Sequence, residues 1–139
     1  MADDVVLNKA AIVERCIARV RAVHGGDDAN LFDDPNRQDS IVLNLQRACE
    51  ACIDLAMHLV RKRRLGLPQE SREAFDLLEG AGLLPADVAR AMRAMVGFRN
   101  IAVHSYRELD LQIVRAVVHE RLGDFEAFTG HVLRQLSDR

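Results

Sequence analysis

Apolar residues recur at intervals of three and four along most of this chain, and polar breaks divide the pattern into segments of helical length. In the first segment Ile12, Cys16, Ile17, Val20 and Val23 share a face, with Asn8 as the expected N-cap and Gly25-Gly26 as the stop after His24. From there to about Arg37 the chain is rich in Gly, Asp and Asn and holds Pro35, so it reads as a loop with Leu31 and Phe32 folding back onto the core. A long second helix is expected from Asp39 or Ser40 to about Leu65, with Ile41, Leu45, Ala48, Cys52, Leu55 and Leu59 as its apolar stripe. Beside that stripe runs a polar row of Arg47, Glu50, Asp54 and His58.

Ser71 is the expected cap of a short helix holding Phe75, Leu77 and Leu78, closed by Gly80 and Gly82. Pro85 suits the first position of a fourth helix that turns Val88, Met92, Met95 and Val96 inward and continues through Phe98 toward His104. Asp110 caps a fifth helix with Ile113, Val114, Val117 and Val118 inward. A break near Gly123 then leads to a last helix carrying Phe125, Phe128, Val132, Leu133 and Leu136. No period-two alternation and no repeat interrupt this series. The fold class is therefore all-α, an antiparallel up-and-down bundle of about five to six helices, with residues 1–139 as a single domain.

Composition narrows the possibilities. The chain has 139 residues, 49% of them hydrophobic, with no Trp and one Tyr, so aliphatic side chains must build the core. A formal charge of -2 supplies no overall field for nucleic acid or an anionic membrane, and any nucleic-acid site has to be local. Three cysteines are too few for a disulfide scaffold and suit a reducing cytoplasm. The apolar runs are too short to span a bilayer and the first residues lack the order of a signal peptide, so a cytoplasmic protein without a membrane anchor is expected.

Chemistry concentrates in one segment. Arg99, Asn100, His104 and Tyr106 lie within eight positions at the end of the fourth helix. A guanidinium can hold a phosphate by two hydrogen bonds, an imidazole can exchange a proton near neutral pH, and a phenol can act as a nucleophile. On a regular helix Arg99 and His104, five residues apart, differ by about 140° at 3.6 residues per turn. They meet at one phosphate only if the helix frays or a second chain contributes.

The spacing Arg-x-x-x-x-His-x-Tyr, with Asn directly after the Arg, resembles the signature of HepT-type HEPN toxins. The similarity extends to Met95-Val96-Gly97-Phe98, to the long helix with Glu50, Asp54 and His58, to Ser71-Arg72-Glu73-Ala74-Phe75, and to the Phe125–Phe128 region. The resemblance implies a HEPN-like bundle and the toxin of a type VII-like toxin-antitoxin pair, a metal-independent endoribonuclease acting on tRNA or mRNA without a cofactor. It also implies that Arg99 and His104 are the catalytic pair, that Asn100 orients the site, and that two copies in a homodimer line one cleft. Tyr106 matches the tyrosine to which a cognate MNT-type nucleotidyltransferase antitoxin adds AMP. For the row of Glu50, Asp54 and His58 the leading reading is structural, satisfying partners across the bundle or a dimer interface, and the functional one has Asp54 as first choice for an acid that orients Arg99 or His104. The alternative reading is a non-catalytic helical subunit that binds a nucleotidyltransferase or a nucleotide.

Other polar features read as structural. Asp27, Asp28, Asp33 and Asp34 lack the ligand spacing of a calcium loop and are assigned to a solvated loop. Cys49 and Cys52 form a C-x-x-C inside a continuous helical pattern and are core residues. The Arg61–Arg64 run is a solvated helix end, with RNA-backbone contact as the lesser reading, and the Met92 and Met95 pair is packing. His24, His119 and His131 have no convergent partner visible in the sequence and are given no role.

Overall fold

The computed structural model describes residues 3–137, with side chains to 135, and all the regular structure of those residues is helical, without a strand. Its helices are α1 (Asp4–His24), α2 (Ala29–Phe32), α3 (Pro35–Lys62), α4 (Ser71–Gly80), α5 (Ala86–His104), α6 (Leu111–Glu120) and α7 (Leu122–Ser137), with a 3-10 turn at Tyr106–Glu108 between α5 and α6. Leu136, expected to point inward, lies beyond the residues whose side chains are described.

Several helices begin where acidic caps allow rather than where the apolar pattern starts. Asp3, not Asn8, caps α1, accepting from the N–H groups of Val5 and Val6 at 3.1 and 3.2 Å. Helical spacing therefore already holds from Val6 through Ala10 to Val13, all buried. Asp34 caps α3 by accepting from the Arg37 N–H at 3.1 Å, with Pro35 in the first turn, so α3 begins earlier than Asp39. Ser71 is the first residue of α4 rather than its cap, and Pro85 stands just before α5. Within the expected loop, Ala29–Phe32 forms one helical turn that buries Leu31 completely. The last break falls at Arg121, which leaves Gly123 inside α7.

Helix α3 is the centre of the bundle and packs on α1, α2, α4, α5 and α7. Contacts show the direction of packing. Asp3 meets His58 and Lys62 while Lys9 meets Asp54, so α1 and α3 run antiparallel. Arg93 reaches Glu79 while Arg99 reaches Ser71, so α4 and α5 do as well. Between them Phe75, Phe125, Phe128, Ile17, Leu45, Leu55 and Met92 are fully enclosed, with Phe75 and Phe128 edge to face at 5.5 Å between ring centres. Ile113 departs from the expected core: it is 49% exposed, because Val114, about 100° further round α6, takes the inward position. Among the described residues no helix is long and apolar enough to cross a membrane.

Candidate active site

The polar row on α3 is distributed among partners rather than gathered at one site. His58 and Lys62 both bond Asp3 at 2.8 Å, and their hydrogen bonds hold its carboxyl well below the usual carboxylate range. Asp54 pairs with Lys9 of α1 at 3.1 Å. It therefore does not touch Arg99 or His104, and the acid beside Arg99 is Glu50, one turn earlier, at 3.9 Å. The reason is helical phase: α1 covers the Asp54 side of α3, whereas Glu50 turns toward α5.

Arg99 is half-buried where α3, α4 and α5 converge. Its Nε donates to Asn100 Oδ1 at 3.0 Å and its Nη2 to Ser71 Oγ at 3.4 Å. Arg99 and Asn100 also line a cleft of about 230 Å³ together with Glu70, Ser71, Arg72 and Val96. A second cation enters this cleft by way of Gly97. A Cβ built on Gly97 would stand 2.8 Å from Arg72 Nη2, so the absent side chain is what lets Arg72 lie across α5. Arg72 Nε donates to the Arg93 carbonyl at 3.4 Å.

His104, the last residue of α5, is exposed and forms no hydrogen bond or ion pair with a described residue. Helix α5 does not fray before it: the Ser105 N–H still reaches the Ile101 carbonyl at 2.9 Å. Within one chain His104 is not among the residues that line the Arg99 cleft. Two residues further on, the Tyr106 hydroxyl donates to Asp39 Oδ1 at 2.6 Å. Partial burial, followed by the bond to Asp39 and its negative charge, pushes the phenol up to about 12.

The sequence missed Asp39, Ser71 and Arg72 as parts of this region because each comes from a distant segment. One signal was available: a glycine in mid-helix with no turn to make marks a close approach. His24 and His119, apparently without convergent partners, both meet Asp28 Oδ1 at 2.8 and 2.7 Å, while Arg115 holds its other oxygen at 2.6 Å. Three such ligands suit a cation in principle. The His24 Nδ1, however, accepts from the Gly26 N–H at 3.3 Å, so its Nε2 carries the proton and donates to Asp28. This is a latch between the end of α1 and α6. Burial pushes Cys49 up to about 12 and raises Cys52 as well, which removes thiolate chemistry from the C-x-x-C.

Residues 13–132 match the family model Ribonuclease HepT-like. A relative named mRNA nuclease HepT, from Shewanella oneidensis, is 48% identical over 126 residues, covering 91% of this chain and 94% of that protein. Among solved structures, a tri-AMPylated Shewanella oneidensis HEPN toxin in complex with an MNT antitoxin superposes with a TM-score of 0.90 at 46% identity, covering 96% of this chain and 99% of that one. A toxin-antitoxin complex with AMP-PNP gives a TM-score of 0.90 at 45% identity, over 95% of this chain and 99% of the other. The cytosolic protein YutE of Bacillus subtilis, 10% identical, shares the fold with a TM-score of 0.82, over 96% of this chain and 89% of its own. With residues 13–132 matched by the family model and a 48% identical relative covering 91% of its length, the chain belongs to the ribonuclease HepT-like family.

Proposed function

We propose that the chain is the RNase toxin of a HEPN/MNT pair, cutting RNA without a metal at clefts shared by two copies and silenced by AMP added to Tyr106. The carrying observation is the division of labour on α5: a braced guanidinium lining a cleft, and an unengaged imidazole five residues beyond it. His104 takes the proton of a ribose 2'-hydroxyl, the 2'-oxygen attacks phosphorus, and the bond to the 5'-oxygen breaks as that oxygen takes a proton from water. Arg99, assisted by Arg72, holds the doubly charged phosphorane, where such contacts contribute most. Asn100 positions Arg99.

Since α5 is unbroken, His104 of one copy serves the cleft of the other. Ile101 and Val103, each 43% exposed, and Leu43, 41% exposed, give the two-fold contact apolar surface to cover. AMP on Tyr106 adds bulk and negative charge at the mouth of this assembly and repels the phosphates of RNA. The partner is an MNT-type nucleotidyltransferase, as in the Shewanella oneidensis complex. A cytoplasmic setting fits three free, buried cysteines.

Purified protein incubated with RNA in EDTA tests this reading. Wild type cleaves, and His104→Ala lowers the rate by about 10²–10⁴-fold, the usual contribution of a general base. A wild type that binds the nucleotidyltransferase tightly yet leaves RNA intact would reduce the chain to a non-catalytic subunit.

A further inference from the structure

Several arginines outside the candidate active site have a carboxylate partner: Arg21 holds Glu126, Arg93 holds Asp76 and Glu79, and Arg115 holds Asp28. Arg15, Arg19 and Arg47 do not. They line one groove of about 720 Å³ between α1 and α3 and form no ion pair or hydrogen bond with a described residue. Ser40 and Asn44 add hydrogen-bonding groups to its wall, and Ile12 and Leu43 add apolar surface. Three like charges facing one concavity repel one another until an anion enters, and guanidinium groups bind phosphate oxygens through short, charge-assisted hydrogen bonds.

The groove is joined to Tyr106. Asp39 lines its rim and is the same carboxylate that accepts the Tyr106 hydroxyl at 2.6 Å. Arg47 lies eight residues further along α3, about 12 Å at 1.5 Å per residue, and Arg15 and Arg19 face it from α1. A phosphodiester formed at the phenolic oxygen therefore starts beside Asp39, with a cationic trough leading away from it.

We propose that this groove seats the phosphodiester of a nucleotide joined to Tyr106, and that Asp39 accepts the phenolic proton as that bond forms. The proposal rests on the reading of Tyr106 as the AMP acceptor. The Tyr106 oxygen attacks the α-phosphorus of ATP, a new O–P bond forms, the bond from that phosphorus to the bridging oxygen breaks, and pyrophosphate leaves. The proton passes to Asp39 Oδ1 and then to water. An acceptor in contact is needed because the phenol, raised by partial burial and by Asp39, keeps its proton at neutral pH. Once the ester is made, its charge is repelled by Asp39 and drawn toward Arg15, Arg19 and Arg47. Phosphates of substrate RNA have the same chemistry, and the experiment separates the two sources.

Wild type, Tyr106→Phe, Asp39→Asn and an Arg15→Gln/Arg47→Gln double variant are incubated with the MNT nucleotidyltransferase, ATP and Mg²⁺, and AMP addition is followed by intact mass. Melting temperature confirms the fold of each, since the altered side chains are exposed. Asp39→Asn slows addition by about 100-fold and flattens its pH dependence, as expected on removal of a general base. The double variant accepts AMP, but its adduct is cleaved by an added phosphodiesterase about tenfold faster than the wild-type adduct, because the ester is no longer held. Addition to Asp39→Asn at the wild-type rate, or equal protection of both adducts, overturns the proposal. So does a double variant that loses RNA cleavage about tenfold while its adduct stays protected, which assigns the groove to RNA. Tyr106→Phe that still gains AMP, or a wild type that gains none, removes the underlying reading of Tyr106 and the proposal with it.

Discussion

Two places in this molecule gather histidine, arginine and a carboxylate, and they arrange them in opposite ways. At the latch, His24, His119 and Arg115 all donate to Asp28, and their combined hydrogen bonds hold its carboxyl well below the usual range. Each donor is engaged by the same acceptor. At the end of α5, Arg99 is steadied by uncharged Asn100 and Ser71, Glu50 stands off at 3.9 Å, and His104 has no partner among the described residues. The comparison teaches that residue types do not distinguish a reactive cluster from a structural one. What distinguishes them is whether donors and acceptors have already satisfied one another.

The sharpest way to break the contrast is to ask whether the unengaged groups need a second chain. A one-to-one mixture of Arg99→Ala and His104→Ala chains, each nearly inactive alone, should recover roughly a quarter of wild-type cleavage, because half of randomly formed pairs are mixed and each holds one intact site. No recovery after subunit exchange would show that both groups act from one chain. Next in size is Gly97→Ala. The added methyl displaces the Arg72 guanidinium, the flexible end of its side chain, so RNA cleavage drops about tenfold or more, in line with losing one charged hydrogen bond of roughly 1.5–3 kcal/mol. Meanwhile α5 gains about 0.5–1 kcal/mol of helix propensity, so activity and thermal stability move in opposite directions.

The latch supplies the opposite control. Asp28→Asn lowers the melting temperature at pH 7 and leaves RNA cleavage unchanged. Because the folded-state carboxyl is depressed, its stabilisation is complete above the unfolded value near 3.9 and disappears as pH falls through the lower folded value. Melting curves of variant and wild type should therefore converge in strong acid; a constant gap down to pH 2 would contradict the latch. Smallest of all is Asp54→Asn, which removes an exposed pair with Lys9 and should cost under about 1 kcal/mol with cleavage unaltered within about twofold. A large loss of activity in that variant would return Asp54 to the active site.

How far the sequence was legible follows from the range of each interaction. Arg99, Asn100, His104 and Tyr106 sit within one short segment, so their spacing could be read directly. The bundle was legible because apolar period and glycine breaks are local signals. Partners from far away were not: His119 meets Asp28 across 91 positions and Tyr106 meets Asp39 across 67. That Asp54 pairs with Lys9 while Glu50 stands nearer Arg99 was not legible, because a polar row on α3 looks uniform in sequence. Helix starts were set too late at Asn8 and Asp39, since Asp3 and Asp34 cap polar first turns that the apolar period does not mark.

The unbroken course of α5 from Ala86 to His104 has a consequence at the level of the cell. In the proposed shared cleft a solitary copy lacks a complete site, so cleavage would rise with the square of abundance when the chain is scarce. Dilution then acts as a brake of its own, and the first molecules made leave time for the antidote to arrive. Cleavage per molecule that stays constant on serial dilution far below the pairing threshold would show that no such brake exists.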